Sequence, residues 1–381
     1  MKLQEYQAKS ILKSAGIPLP ASTLATNAVQ VKRIAAEIGY PVVLKAQTLE
    51  SGRGSAGGVR IVHNEREIEN ISNEIFKVII NRHPVQFILV EKALTFMDEF
   101  YLAVISDLEN STPILRISEA GGATFLESSS FEDALVVDRP IDINTGLKDY
   151  QIREAITKMG IDPQLWKQFQ LIAHKAYEVY RQYDATLVEL NSLVLTEQNQ
   201  VFVLDARISI DSQSLFRQES FADAFDPTYF GWEERQALKY YVDYHIFPGE
   251  VGCIVNGMGL AYLTLDQLLS LNTLPAAMID IRGGATSTST ASSLEMLLLN
   301  PRVKVVLINI FGGMTRCDEA ANGFLQALNR GLPRKPIFIR LEGTNGDSGL
   351  DLLHNNENMS FFGTTEALVN ATAGWLRGEE L

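Results

Sequence analysis

The sequence predicts an α/β protein in two parts: an α+β N-terminal part with antiparallel hairpins, then a parallel sheet covered by helices. Three observations predict it. Up to about residue 226, helices and short strands are mixed, and strands follow one another across tight polar turns. Near residue 226 the chain changes character, entering the aromatic stretch FDPTYFGWEERQALKYYVDYHIFPG. Beyond it, apolar strand, glycine loop and helix recur in that order, the mark of a parallel sheet buried on both faces.

The elements follow in order. MKLQEYQAKSILKSAG reads as an amphipathic helix. Asn27 caps a second helix, AVQVKRIAAEI, which stops at Gly39 before the strand PVVLKAQ. A glycine loop, SGRGSAGG, leads into VRIVH, and a charged helix, NEREIENISNEIFKVII, precedes the strand PVQFILVEKAL. EFYLAVISD and TPILRISEAGG are further strands, and QLWKQFQLIAHKAYEVYRQY is an amphipathic helix. TLVELNSLVLTEQNQVFVLDAR is a hairpin turning at Thr196–Gln200. After a connecting helix and turn come GCIVNGMG, AMIDIRGGAT, KVVLINIFGGMT and PIFIRLEGTNG, each a strand with its glycine loop. Ligands of parallel sheets bind at the carboxyl ends of the strands, where all these loops lie, so that edge is expected to be a site. The expected boundaries are 1–228, a connecting segment 229–248, and 249–381.

Composition narrows the function. Apolar content of 46% and charged content of 21% are those of an ordinary soluble globular protein. A net charge of −13 argues against nonspecific nucleic-acid or anionic-membrane binding, which needs basic patches. No apolar run approaches the roughly 20 residues of a membrane span, and the N-terminus has no signal-peptide core. Cys253 and Cys317 are too few for a disulfide framework, and the histidines lack metal-ligand spacing, so a reducing cytoplasm is expected.

The hairpin carries the first chemical signal. If it pivots on Gln198, Leu195 faces Val201, Leu193 faces Val203 and Asn191 faces Asp205, with Glu189 on the same face. The result is a patch of hard oxygen ligands such as magnesium takes, together with waters and phosphates. The same spacing also suits a solvated strand end where Glu189 meets Arg207. Lys45 ends a strand just before GRGSAGG, whose glycines would let backbone N–H groups approach a phosphate beside Lys45 and Arg53. A flexible hairpin tip is the competing reading, and neither the P-loop nor the GxGxxG pattern is present. Glu91 and Glu99 suit either sugar hydroxyls or the surface. Farther on, Gly312 and Gly313 are expected where a helix begins, an anion site to which Asn256 would add a donor.

Taken together, LQEYQAKSIL, VVLKAQ…GRGSAGGV, ILVEKA, VELNSLV, VLDAR, LFRQ, GCIVNGMGLA, GGAT and VLINIFGGMTRCD stand in the order, and nearly the spacing, of one family. Over almost its whole length the chain resembles the β subunits of succinate–CoA ligases. The resemblance implies an ATP-grasp domain followed by a flavodoxin-like CoA-ligase domain. It implies that Lys45, Gly52, Arg53, Gly54, Glu91, Leu94 and Glu99 line the nucleotide, ATP or GTP. Asn191 and Asp205 would hold Mg2+, Glu189 would assist phosphoryl transfer to a histidine, and Asn256 with Gly313, Met314 and Thr315 would bind the acid. CoA would be bound mainly by an α subunit, which also carries the phosphohistidine in a GHAGA-like segment that this chain lacks; an α2β2 assembly is a further possibility of the family.

The chain departs from the family pattern at Ser55 (usually lysine), Ser192 (proline), Arg207 (lysine) and Arg282 (glycine), and SEAGGATFLESSS follows the family's EGG segment only loosely. These changes bear on the identity of the acid more than on the fold. The leading expectation is succinyl-CoA formation from succinate and CoA with NTP converted to NDP and phosphate. The alternatives are a malate–CoA ligase β subunit, to which DARISIDSQSLFRQ is similar, and a diverged non-catalytic subunit.

Overall fold

The computed structural model describes residues 1–49, 52–80, 83–122, 135–218, 221 and 230–379. The chain divides into two compact units, Met1–Asp226 and Pro227–Leu381.

The first unit opens with α1 (Glu5–Ser14), β1 (Ser22–Ala25) and α2 (Ala28–Ile38). The Asn27 side chain accepts from Gln30 N at 3.0 Å, and Gly39, at φ 85°, ends the helix. Then follow β2 (Val42–Ala46), β3 (Val59–Val62), α3 (Glu65–Phe76), the short ribbon β4 (Ile79–Ile80) and β5 (His83–Pro84), and β6 (Ile88–Lys92). Strands β1-β6-β2-β3 form an antiparallel sheet. Leu44, Ile88 and Val90 from that sheet pack with Ile34 of α2 and Ile68 and Ile75 of α3.

A second antiparallel sheet is built from β7 (Phe96–Asp107), β8 (Thr112–Ser118), β9 (Val136–Pro140), β10 (Ala185–Thr196), β11 (Val201–Val203) and β12 (Ala206–Ile210). Helices α4 (Asp149–Lys158) and α5 (Trp166–Gln182) lie between β9 and β10 in the chain. Phe169 of α5 is fully buried and meets Phe100 edge-on at 5.3 Å. Burying one such side chain stabilises by roughly 1.5–3 kcal/mol. The hairpin register is Leu193↔Val203, Val194↔Phe202 and Leu195↔Val201, the pivot on Gln198 read from the sequence. It continues as Glu189↔Arg207 in the pairing of β10 with β12.

The second unit holds α6 (Trp232–Tyr240), β13 (Asp243–Ile246), β14 (Val251–Val255), α7 (Met258–Ser270), β15 (Pro275–Asp280), α8 (Ser287–Leu299) and β16 (Val305–Gly312). It closes with α9 (Cys317–Leu328), β17 (Ile337–Gly343), α10 (Gly346–Leu353), β18 (Met359–Phe361) and α11 (Thr365–Leu376). The sheet order is β13-β15-β14-β16-β17-β18, parallel except for β13. Strand periodicity splits the core: Val306, Ile308 and Ile310 face one layer with Leu297 and Phe324, while Val305 and Leu307 face the other with Leu368.

Two local expectations are corrected. Within 229–248, expected as a connecting segment, β13 is an antiparallel edge strand of the sheet, with Asp243 paired to Asp280. Gly312 and Gly313 do not begin a helix. Gly312 is the last residue of β16 and still pairs with Gly343, and α9 starts at Cys317. Gly312 and Gly343 are needed for close approach, since a Cβ on Gly343 would fall 2.2 Å from Gly312 O. Among the described residues no helix is long and apolar enough to cross a membrane.

Candidate functional site

The first unit gathers charge where the sequence placed Lys45, Arg53 and Asp205. Lys45, at the end of β2, is buried and contacts Glu5 at 3.0 Å and Glu91 at 2.8 Å. Its ammonium also donates to Leu204 O at 2.6 Å. Lys9 donates to the same oxygen at 2.6 Å and pairs with both Glu5 and Glu91. Arg53 bridges Glu5 and Asp205, the latter at 2.6 Å. Three cations thus face three carboxylates, and the balance keeps this mostly buried cluster affordable.

The balance sets the charge states. Burial alone would raise the Glu5 carboxyl, but Lys45, Lys9 and Arg53 hold it well below the usual carboxylate range. Burial would lower Lys45, yet Glu5, Glu91 and Asp205 push it up instead, and Arg53 is raised in the same way by Glu5 and Asp205. Lys45 and Arg53 are therefore fixed positive charges.

The glycine loop folds on itself beside them. Gly58 N bonds to Arg53 O at 2.8 Å, and Gly52 takes a positive φ of 88°. Gly52 and Gly54 are exposed, so their backbone is open to a ligand. Ser55 donates to Gly52 O at 2.9 Å, so its hydroxyl closes the loop. Leu94 lies just after β6, half-buried, and offers only backbone polar groups. The Glu91 carboxylate pairs with Lys9 and Lys45, whereas Glu99 is half-buried, its carboxylate 2.8 Å from where a Gly122 Cβ would stand.

Asn191 and Asp205 are adjacent across the ladder, with Asn191 N donating to Asp205 O at 3.1 Å. Asn191 Oδ1 accepts from Gly122 N at 2.7 Å, and Asp205 Oδ1 from Ala206 N at 2.8 Å. Their donors are hard oxygens, one carboxylate and one amide, which suits a magnesium ion that takes its remaining ligands from water and phosphate. Among the described residues no group of three His, Cys, Asp or Glu gathers for a metal. Glu189 on β10 is buried, and burial pushes its carboxyl up, with Arg207 at 3.9 Å and a hydrogen bond from Asn191 working against the rise.

In the second unit, three loops meet at the carboxyl edge of the sheet. Asn256 holds the backbone of Phe311 at both ends, Nδ2 donating to O and Oδ1 accepting from N, each at 2.8 Å. Gly313 and Met314 are exposed; Thr315 is buried, its hydroxyl donating to Arg282 O and accepting from Gly284 N, each at 3.1 Å. The first turn of α9 carries its own carboxylates, Asp318 paired with Arg316 and Glu319 bonded to Ser287 N, so the anion site expected at its start is partly filled.

The sequence reading missed Glu5, Lys9, Asp243 and Asp280. Glu5 and Lys9 had a signal: both stand on the stripe of α1 that also carries Ala8 and Leu12, so a charged pair faces the core. Asp243 had none, because its strand was read as a connection.

Residues 2–195 match the family described as ATP-grasp domain, and residues 254–367 the family described as CoA-ligase. A protein of Aquifex aeolicus named succinate–CoA ligase [ADP-forming] subunit beta is 38% identical over 363 residues, 93% of this chain and 94% of that protein. The chain belongs to the succinate–CoA ligase β-subunit family. A Chloroflexus aurantiacus protein of the same name is 36% identical over 100% of both chains. Among solved structures, Methanosaeta concilii ATP citrate lyase shares the fold, with a TM-score of 0.69, 17% identity, and 100% of this chain and 99% of that one covered. The succinate–CoA ligase β-subunit family thus accounts for both units, whereas Arg282, a departure from its pattern, is left for the structure to explain.

Proposed function

We propose that this chain is the β subunit of an ADP- or GDP-forming succinate–CoA ligase, converting succinate, CoA and NTP to succinyl-CoA, NDP and phosphate through a phosphohistidine on an α subunit. The observation that carries the reading is the convergence of Lys45, Arg53, Asn191 and Asp205 in one ATP-grasp unit, where the relatives' name asks for a nucleotide site. Lys45 and Arg53 act as fixed charges on the phosphates, and the backbone of Gly52 and Gly54 receives phosphate oxygens. Leu94 presents backbone to the base, Glu91 braces Lys45, and Glu99 takes the sugar. Asn191 and Asp205 hold Mg2+, which supplies neutralisation of phosphate charge. Glu189, whose carboxyl burial pushes up, orients the incoming histidine and handles its proton.

Asn256 and the Gly313–Thr315 backbone receive the acid's carboxylate. Asn256 uses one Nδ2 hydrogen on Phe311, and its second is directed to the acid. CoA is bound mainly by the α subunit, which covers the exposed apolar side chains of the edge, among them Phe311 (53% exposed) and Met314 (83%). The complex works in the cytoplasm as αβ or α2β2. The test is to assay the assembled complex with a panel of dicarboxylates. Preference for succinate is expected, and a strong preference for malate would replace the succinate assignment.

A further inference from the structure

Arg282 stands where the family pattern carries glycine, and its backbone keeps the glycine conformation, at φ 61°. A side chain in the left-handed region is strained, so it persists only where the surroundings hold it. Two carboxylates do so. The guanidinium makes a bidentate pair with Asp243 on β13, at 2.8 and 2.6 Å. The Arg282 N–H donates to buried Asp280 at 2.7 Å.

The contacts continue into both neighbouring loops. The Asp280 oxygen that takes Arg282 N also takes Gly257 N, at 2.6 Å, and Gly257 follows Asn256. Asn256 clasps Phe311, and four residues on, Thr315 donates to Arg282 O. The bonds close a ring through the three loops that the acid site uses. The Arg282 side chain joins that ring to Asp243 on the edge strand, by the planar two-point contact that guanidinium and carboxylate make best. The ring also spends the single hydroxyl hydrogen of Thr315 on Arg282 O. An incoming carboxylate is therefore left with main-chain N–H groups and the Asn256 amide, whose spacing the ring sets.

We infer that Arg282 is a positioning residue for the acid substrate: its ion pair with Asp243 braces the 282–284 loop, and through Thr315 and Asp280 it fixes the spacing of the carboxylate-binding loops. The brace belongs to the second unit, whereas the residues proposed for nucleotide and metal belong to the first. It rests on the acid site proposed at this edge.

The test uses the assembled αβ complex with Arg282→Met, Asp243→Asn, Arg282→Lys and, as a reference, Asn256→Ala. Arg282→Met and Asp243→Asn should each raise KM for the acid on the order of tenfold, the scale of a small misplacement of binding groups, while kcat stays within about twofold. NTP–NDP exchange, which reports the phosphorylation half-reaction, should not change. Arg282→Lys should recover part of the KM, since one contact to Asp243 remains possible. If Asn256→Ala raises KM and the Arg282 and Asp243 variants do not, the brace is overturned and the site stands. If none of them moves KM, the acid site itself is misplaced and the brace falls with it. A parallel loss of exchange would also overturn it, as the effect would then not be confined to the acid. Should Arg282→Met fail to fold, Asp243→Asn tests the same pair without altering the strained residue.

Discussion

Arg53 and Asp205 lie 152 residues apart in the chain and 2.6 Å apart in space. One belongs to the glycine loop and the other to the hairpin, so the pair ties together the segments proposed above to bind phosphate and metal. On the proposed assignment Asp205 would exchange this guanidinium for a metal ion, and Arg53 would keep Glu5 as its other partner.

Asp205→Ala should abolish phosphorylation of the complex while changing stability by no more than about 1 kcal/mol, since the pair is partly exposed. Asn191→Ala should cost less activity, because a neutral ligand is lost. Magnesium titration of NTP–NDP exchange, with thermal melts alongside, checks both. Full exchange by Asp205→Ala at low magnesium would remove these residues from the metal site.

Lys45→Met should weaken nucleotide binding and also destabilise the fold. Removing one partner of a buried pair costs roughly 3–5 kcal/mol, and the low end is expected because Lys9 stays with both carboxylates. Calorimetric titration with nucleotide and urea unfolding measure the two effects. Unchanged affinity would leave Lys45 a purely structural residue.

Glu5 ties stability to acid. Its folded carboxyl lies well below the ordinary 4.5, so its stabilising contribution is complete above about pH 4.5 and is lost as pH falls through the folded value. Urea midpoints should therefore fall more steeply below that pH in the native protein than in Glu5→Gln. Parallel slopes would show that the Glu5 cluster does not control acid unfolding.

Glu189 has the opposite sign. Its carboxyl is raised by burial, so its contribution is present below the unfolded value and is lost as pH rises through the folded one. Glu189→Gln should consequently melt higher than the native protein at neutral pH while phosphoryl transfer drops on the order of a hundredfold. A lower melting temperature at neutral pH would mean that the carboxylate is stabilised in place.

Much of this was legible because it rests on local periodicity. The pivot at Gln198 fixed which residues face each other, since a one-residue slip would have turned Leu193 and Val203 out of the core. The alternation of apolar strands and glycine loops marked the sheet edge that Asn256 and Thr315 occupy. What was not legible depends on pairings far apart in sequence. Glu5 and Lys9 acquire their role only when α1 docks against Glu91 and Leu204. Gly312 looked like a helix start because nothing local reveals that Gly343 is packed against it. Asp243 lies in the aromatic stretch read as a connecting helix and turn, and only the distant pairing with Asp280 makes it part of an edge strand.

The central claim is that phosphate passes to a histidine outside this chain. Among its own histidines, His174 is bonded to Asp149, His354 lies against Phe361, and His63 and His245 are exposed at strand ends or edges, while His83 precedes Pro84 in a short ribbon. The decisive measurement is to incubate the purified chain with radiolabelled NTP and magnesium, with and without the α subunit, and count acid-labile phosphate on each polypeptide. The account predicts no labelling of this chain in either case and labelling of the α subunit in the complex. Stoichiometric labelling of one of its own histidines would contradict it.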